Sequence, residues 1–211
     1  MIDATYILTL AEIQAVLDDL KRRARRSINS RQNLILFRLV TCCGLRAGEI
    51  CGLRVTDLHH ANSSPYLEVR QQLHKGVFKP PKGSRNGRNN VRRVPIFWDQ
   101  GTLADLKAWT AHRIGEGARP LDPYVRRRYG TTDGWLDSSA VFRRFRVACR
   151  RLGPERCREI HPHTGRHCFV SYMLQHHNVV EVQRAAGHAS LATTSLYAHI
   201  IPTDNEPGSV F

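Results

Sequence analysis

The sequence predicts a mostly α fold with a small antiparallel sheet (α+β), built as one domain. Three observations carry this reading. Apolar residues recur at helical spacing along much of the 211 residues. Two short segments, 65–71 and 91–97, read as strands around a polar stretch rich in Gly, Asn and Arg, "KPPKGSRNGRNN". No internal repeat and no clear linker divides the chain, and its length suits one ample core.

The elements follow in order. Thr9 and Glu12 stand at capping-box spacing, and Ile13, Val16, Leu17 and Leu20 then mark one face of an amphipathic helix. Its basic end, 21–26, suits a helix dipole and alone says nothing of a partner. "NLILFRLVTCCG" is apolar nearly all round, so it predicts a buried helix ending at Gly44. "AGEICGLRVTDLH" predicts a short helix and a turn. In "PYLEVRQ", Leu67 and Val69 alternate with Glu68 and Arg70; "VRRVPIF" supplies a second strand, and the pair reads as a hairpin with a long tip.

Leu103, Leu106 and Trp109 mark the next helix, and 119–135 reads as a connection. Ser138 or Ser139 is placed to cap a helix whose Val141, Phe142, Phe145 and Cys149 face one way, amid arginines. Further helices are expected near 164–176, 179–186 and 190–199, ahead of an extended tail.

Composition points to an anionic partner. The chain carries 32 Lys+Arg against 18 Asp+Glu, a net +14. An excess of this size favours nucleic acid, because neutralising phosphates releases counterions; a solvated basic surface or a ribosome-associated habit is the plainer alternative. Cys42, Cys43 and Cys51 lie in apolar, helix-like surroundings, where a thiol packs as a small hydrophobe. No leader-like start is seen, and no apolar run approaches the roughly 18 residues of a membrane span. Cytoplasmic residence with reduced thiols is expected, and no membrane association.

The segment "IHPHTGRHCF" crowds three histidines and an arginine into ten positions. A metal site would explain it, but there is no C-x-x-C pair, no H-E-x-x-H and no carboxylate cluster. A phosphate grip explains it better. His163 and Arg166 are three apart and reach one place from the start of a helix. A guanidinium fork matches two phosphate oxygens. Arg46 with Glu49, Lys82 in "PPKGS", His188 and Tyr197 supply the remaining types needed for metal-free phosphoryl transfer: charge neutralisation, an acid and a nucleophile.

Four ordered boxes turn this inventory into a resemblance. Thr41, Gly44, Leu45, Arg46, Glu49 and Ile50 match T-x-x-G-L-R-x-x-E-I. His163, Arg166 and His167 match H-x-x-R-H. Gly187, His188, Thr193 or Thr194, and Tyr197 match the G-H…T…Y ending. From about residue 7 to 200 the chain resembles the tyrosine recombinase (phage integrase) family, and the tyrosine recombinase/integrase catalytic-domain fold is therefore expected. The resemblance implies a site-specific DNA recombinase. Tyr197 would attack a phosphodiester to give a 3′-phosphotyrosyl bond and a free 5′-hydroxyl, with neither metal, ATP nor any other cofactor. Arg46 and Arg166 would hold the non-bridging oxygens, and Lys82 would be the general acid, with Lys75 and Lys79 as neighbours. His163 and His188 would support the phosphate and assist proton transfer, and Glu49 would orient the cluster from behind. His167 is expected to be structural.

Arg85, Arg88, Arg92, Arg93, Arg143 and Arg144 are expected to meet double-stranded DNA. The implied assembly is a homotetramer on two DNA sites, monomeric without DNA, and nucleoid-associated. Residues 1–200 would form the catalytic domain, with 201–211 a tail packing on a neighbour. The family's N-terminal clamp domain has no counterpart in this sequence, which resembles minimal recombinases or a fragment. Two departures touch packing: Gly165 stands where leucine is usual and is expected to loosen a helix start, and Ala186 also stands where leucine is common. A topoisomerase-like or telomere-resolving enzyme, and a DNA-binding regulator that no longer cuts, are the alternative readings.

Overall fold

The computed structural model describes residues 7–61, 63–81, 91–96, 99–127 and 134–197. Helix α1 (Leu10–Ala24) opens with the expected capping box. Thr9 Oγ1 accepts from the Glu12 N–H at 3.1 Å, and Glu12 Oε2 accepts from the Thr9 N–H at 2.9 Å. Its apolar face packs on α2 (Ile28–Phe37), whose residues from Gln32 on are buried.

The buried helix does not run on regularly to Gly44. Residues Arg38–Cys42 widen into a π-helical turn, one residue looser than the α spiral. Arg38 is buried there and bonds Asp105 at 3.0 Å and Asp99 at 3.4 Å, so an ion-pair set sits where the sequence shows only an apolar run. Gly44 then turns left-handed, with φ +63°, and a Cβ there would overlap the Phe169 ring. Helix α3 (Ala47–Gly52) follows directly.

The sheet is antiparallel in the order β1 (Leu58–His59), β2 (Tyr66–Val69), β5 (Arg92–Pro95). Leu67 faces Val94 and Val69 faces Arg92 across the β2–β5 ladder, which confirms the pairing of the two expected strands. Between them the chain builds a second ladder, β3 (Gln72–His74) with β4 (Val77–Lys79), turning at Lys75 and Gly76. Strand β4 is exposed throughout although Val77 and Phe78 are apolar, while β3 buries Leu73, so burial along the ladder does not follow one hydropathy pattern. The loop tip 82–90, with Lys82, Arg85 and Arg88, lies outside the described residues.

Helix α4 (Gln100–Gly115) starts at Asp99 and buries Leu103, Leu106 and Trp109. The expected serine cap of α5 (Ser138–Ala148) gives way to Asp137, whose Oδ1 accepts from the Ala140 N–H at 2.7 Å. A short helix, α6 (Pro154–Glu159), precedes α7 (Pro162–Met173), α8 (Val179–Ala186) and α9 (Leu191–Ser195). Helix α7 lies against the π-helical turn so closely that a Cβ on Gly165 would sit 2.6 Å from Val40 Cγ1 and 2.7 Å from Thr41 Oγ1. Gly165 is thus not a missing core side chain but the position that lets two backbones meet. All six cysteines are unpaired, five of them buried. Among the described residues no helix is long and apolar enough to cross a membrane.

Candidate active site

The site forms where the C-terminal end of α8 meets α3, β5 and α7. Gly187 ends α8 in the left-handed conformation (φ 66°, ψ 44°). Its N–H returns to Arg184 O at 3.1 Å, and the His188 N–H reaches Gln183 O at 3.1 Å, the doubled bond of a Schellman ending. The last carbonyls of a helix have no partner within it and carry the negative end of its dipole. Here three consecutive ones each take an arginine from a different part of the chain. Arg92 donates to Ala185 O, Arg166 to Ala186 O at 2.6 Å, and Arg46 to Gly187 O at 3.0 Å. Arg166 also donates to Gly44 O, which the left-handed turn aims at it.

Three guanidiniums this close need a counter-charge, and Glu49 supplies it from full burial. It caps the start of α3, accepting the Arg46 N–H at 2.8 Å, and pairs with Arg46 Nη1 at 3.0 Å and Arg92 Nη2 at 2.6 Å. Burial alone would raise the Glu49 carboxyl, but Arg92, Arg46 and Arg166 outweigh it and hold it below the ordinary range. Burial and then the neighbouring arginines push Arg166 down to about 9, which leaves it protonated at neutral pH.

Tyr197 lies just past α9, only 6% exposed. Its hydroxyl is 2.6 Å from His167 Nδ1, and its ring lies 6.0 Å from that of His188, nearly parallel. His188 is fixed in turn by Thr194 Oγ1 at 2.9 Å, which selects Thr194 over Thr193 as the threonine of the closing box. Burial pushes both imidazoles down, with arginines contributing: His188 to about 3 and His167 to about 4, the latter helped first by His163. Both are neutral at pH 7. Burial raises the Tyr197 phenol, with Arg166 and Arg46 opposing.

The structure therefore brings together Arg46, Glu49, Arg166, His188 and Tyr197. His163 stands at the exposed first turn of α7, its ring 6.0 Å from that of His161 and 6.4 Å from that of Phe142. His161, not His163, caps α7. Arg92 is found in the cluster rather than on an outer surface, its side chain 8% exposed. Strand alternation carried that signal: Arg92 shares a face with the buried Val94, while Arg93 points out and lies 4.9 Å over the Tyr66 ring. Arg143 is exposed beside Ser139, and Arg144 is half-buried and bonds Asn33 at 3.1 Å. His167 was not legible as a site residue, since its partner lies thirty positions on. Among the described residues no group of three or more His, Cys, Asp or Glu side chains is placed to hold a metal ion.

This architecture is that of the tyrosine recombinases. The chain superposes on the XerA recombinase with a TM-score of 0.68, at 18% identity, over 92% of this chain and 59% of that one. On the Tn1549 transposon integrase in complex with transposon right end DNA the TM-score is 0.70, at 18% identity, over 94% and 62%. The phage integrase family model matches residues 7–203, and the chain belongs to that family. Its curated relatives include the tyrosine recombinase XerC of Xylella fastidiosa, 32% identical over 78% of this chain and 47% of that protein. XerC of Pseudomonas aeruginosa is 32% identical over 81% and 48%, and the tyrosine recombinase of Pseudothermotoga lettingae 28% identical over 83% and 52%. The chain thus spans about half the length of these relatives.

Proposed function

We propose that this chain carries out site-specific cutting and rejoining of double-stranded DNA through a 3′-phosphotyrosyl intermediate. The observation that carries the reading is a buried Tyr197, its hydroxyl 2.6 Å from His167 Nδ1, lying within the electrostatic reach of Arg166 and Arg46. Tyr197 is the nucleophile. Arg46 and Arg166 each spend only part of their five N–H donors on carbonyls and carboxylate, leaving others for non-bridging phosphate oxygens. Glu49 keeps the two arginines together. His188, neutral and stacked on Tyr197, donates to the phosphate, and His163 reaches it from the exposed start of α7. Lys82, beyond the β3–β4 ladder, protonates the departing 5′-oxygen.

Arg93 and Arg143, with Arg85, Arg88 and Arg144, hold the DNA backbone, and Arg92 serves the site from within. Residues 1–200 act as the catalytic domain, and the tail from 201 to 211 docks on a neighbour in a tetramer spanning two DNA sites, near the nucleoid. The reading is tested by incubating the protein with supercoiled plasmid in EDTA and quenching with detergent. Relaxed DNA and a covalent protein–DNA adduct are expected from the wild type and from neither in Tyr197→Phe. Adduct that persists in Tyr197→Phe removes Tyr197 from its role, and salt-sensitive binding without adduct favours a regulator that no longer cuts.

A further inference from the structure

We infer that the cleft between α1, α2 and α4 is a docking site for a partner protein. It takes one apolar side chain of an acidic segment into a cavity rimmed by Lys21, Arg25 and Arg31. The inference goes beyond the DNA chemistry and does not rest on it, since no residue lining the cleft belongs to the cluster around Glu49 and Tyr197.

The cleft follows from helical spacing. Each of the three helices turns residues i, i+3 and i+4, which share one face, toward the same space. From α1 come Lys21, Ala24 and Arg25. From α2 comes Arg31, with Leu34 and Ile35 buried one turn on. From α4 come Asp105, Ala108 and Trp109, the last fully buried and fixed by its indole N–H, which donates to Tyr124 O at 2.8 Å. Helices α1 and α4 both pack on α2, and each gives the cleft an alanine where a longer side chain would take up the room. The space left is about 210 Å³. A cavity of about 150 Å³ already holds a benzene ring, so one side chain the size of leucine or phenylalanine fits here.

Charge decides what flanks that side chain. Among the described residues no carboxylate pairs with Lys21, Arg25 or Arg31. The Arg31 guanidinium lies 3.5 Å from His112 Nδ1, but burial lowers that imidazole, so it is neutral at pH 7 and supplies no counter-charge. Asp105 lines the cleft as well, yet its Oδ2 is already engaged by the buried Arg38 Nε at 3.0 Å. Three cations thus face the opening, and the carboxylate beside them has its own partner.

An apolar floor inside a charged rim is how protein interfaces are built around a buried anchor. A DNA backbone asks only for donors and has no apolar body to place on Leu34, Ile35 and Trp109. Carboxylates on either side of an apolar anchor satisfy both parts of the cleft. They meet the three cations, steer the encounter and make it sensitive to salt.

The test uses the full chain and an unlabelled peptide, Glu-Asp-Leu-Asp-Glu, titrated into ¹⁵N-labelled protein. The Trp109 indole resonance, assigned through Trp109→Phe, is expected to shift and saturate. Replacing the peptide leucine by glycine is expected to weaken binding at least about tenfold, the worth of one buried leucine. Ala108→Phe fills the cavity without a change of charge and is expected to abolish the shift. Arg25→Glu together with Arg31→Glu is expected to weaken binding about tenfold or more and to flatten its salt dependence. Wild-type urea midpoints show that these variants fold, and Ala108→Phe is expected to form covalent DNA adduct like the wild type. Three results overturn the proposal: no saturable shift, equal binding of the leucine and glycine peptides, or peptide binding that persists in Ala108→Phe. A short DNA duplex that moves the Trp109 resonance where the peptide does not makes the cleft part of a DNA track and overturns it too. Loss of adduct in the wild type bears on the nucleophile reading alone and leaves the cleft standing.

Discussion

Arg92 and Glu49 meet at 2.6 Å, one from the inner face of a strand and the other from the first turn of a helix, and both are buried. The same Glu49 oxygen accepts the Arg46 N–H, so the pair ties the sheet to the segment that carries the first arginine of the site. Arg92 also reaches the end of α8, where a carbonyl takes it. The contact is thus a junction of three elements.

Removing Arg92 takes away one of the two guanidiniums paired with the buried Glu49 carboxylate and leaves Arg46 as its remaining ion-pair partner. Arg92→Ala is expected to destabilise the fold by up to about 3 kcal/mol, below the full cost of an uncompensated buried charge because Arg46 stays on Glu49, measured by urea unfolding. Adding Glu49→Gln is expected to cost less in this background than in the wild type, because the Arg92–Glu49 contact is already lost. Fully additive losses in this double-mutant cycle would show that the pair is not coupled.

Gly187 is required twice over. Its φ of 66° suits glycine, and a Cβ there would lie 2.6 Å from Arg92 Cδ. Gly187→Ala is expected to cost at least about 1–2 kcal/mol from the left-handed conformation alone and to displace Arg92. Thermal melts and the His188 imidazole resonances check this together, since His188 is the next residue.

Gly165→Leu restores the residue expected from the family pattern but meets Val40 and Thr41 at the π-helical turn. Overpacking of this kind costs about 1–3 kcal/mol. A stabilised variant would mean that α7 and the turn can separate freely.

Stability is expected to fall with acid in a defined window. His188 and His167 are held at about 3 and about 4 by burial and nearby cations, below the ordinary 6.5. Below pH 6.5 the unfolded chain therefore takes up protons that the folded chain refuses, and stability is lost as pH falls toward 4 and 3. Glu49, lowered overall, adds loss of the same sign below about 4.5. Urea midpoints at pH 7.5, 6, 5 and 4 check this, and His188→Asn is expected to flatten the slope between 6.5 and 4.

Exposed and buried arginines are expected to separate in DNA binding. Arg93→Ala and Arg143→Ala each lower the slope of log K against log salt by about 0.9 if each meets one phosphate. Unchanged slopes place the DNA track elsewhere on the surface.

Much of this was readable before any coordinates. The α1 capping box, the paired strands and the final three helices follow from spacing, because local periodicity decides them. The π-helical turn was not, since a one-residue widening leaves no mark in an apolar run; what reveals it is Arg38 finding Asp99 and Asp105. The β3–β4 ladder is hidden because its three-residue strands are too short for a clear alternation and β4 leaves its apolar side chains exposed. At the site, motif spacing points to Arg46, Arg166, His188 and Tyr197, whereas His167 is defined by a contact across thirty residues. Arg92 lay between these cases: alternation with Val94 turns it inward, but a strongly basic composition draws attention to the outside.

The last turn of α8 has a consequence for the growing chain. Arg46, Arg92 and Arg166 all leave the ribosome before the three carbonyls of residues 185–187 that gather them, and Tyr197 emerges later still. Until that turn exists, the guanidiniums have Glu49 alone to offset their repulsion, and no phenol stands beside them. A polypeptide released short of this point carries neither the gathered guanidiniums nor Tyr197. The cluster is thus completed only once residues 185–197 have followed the three arginines out of the ribosome.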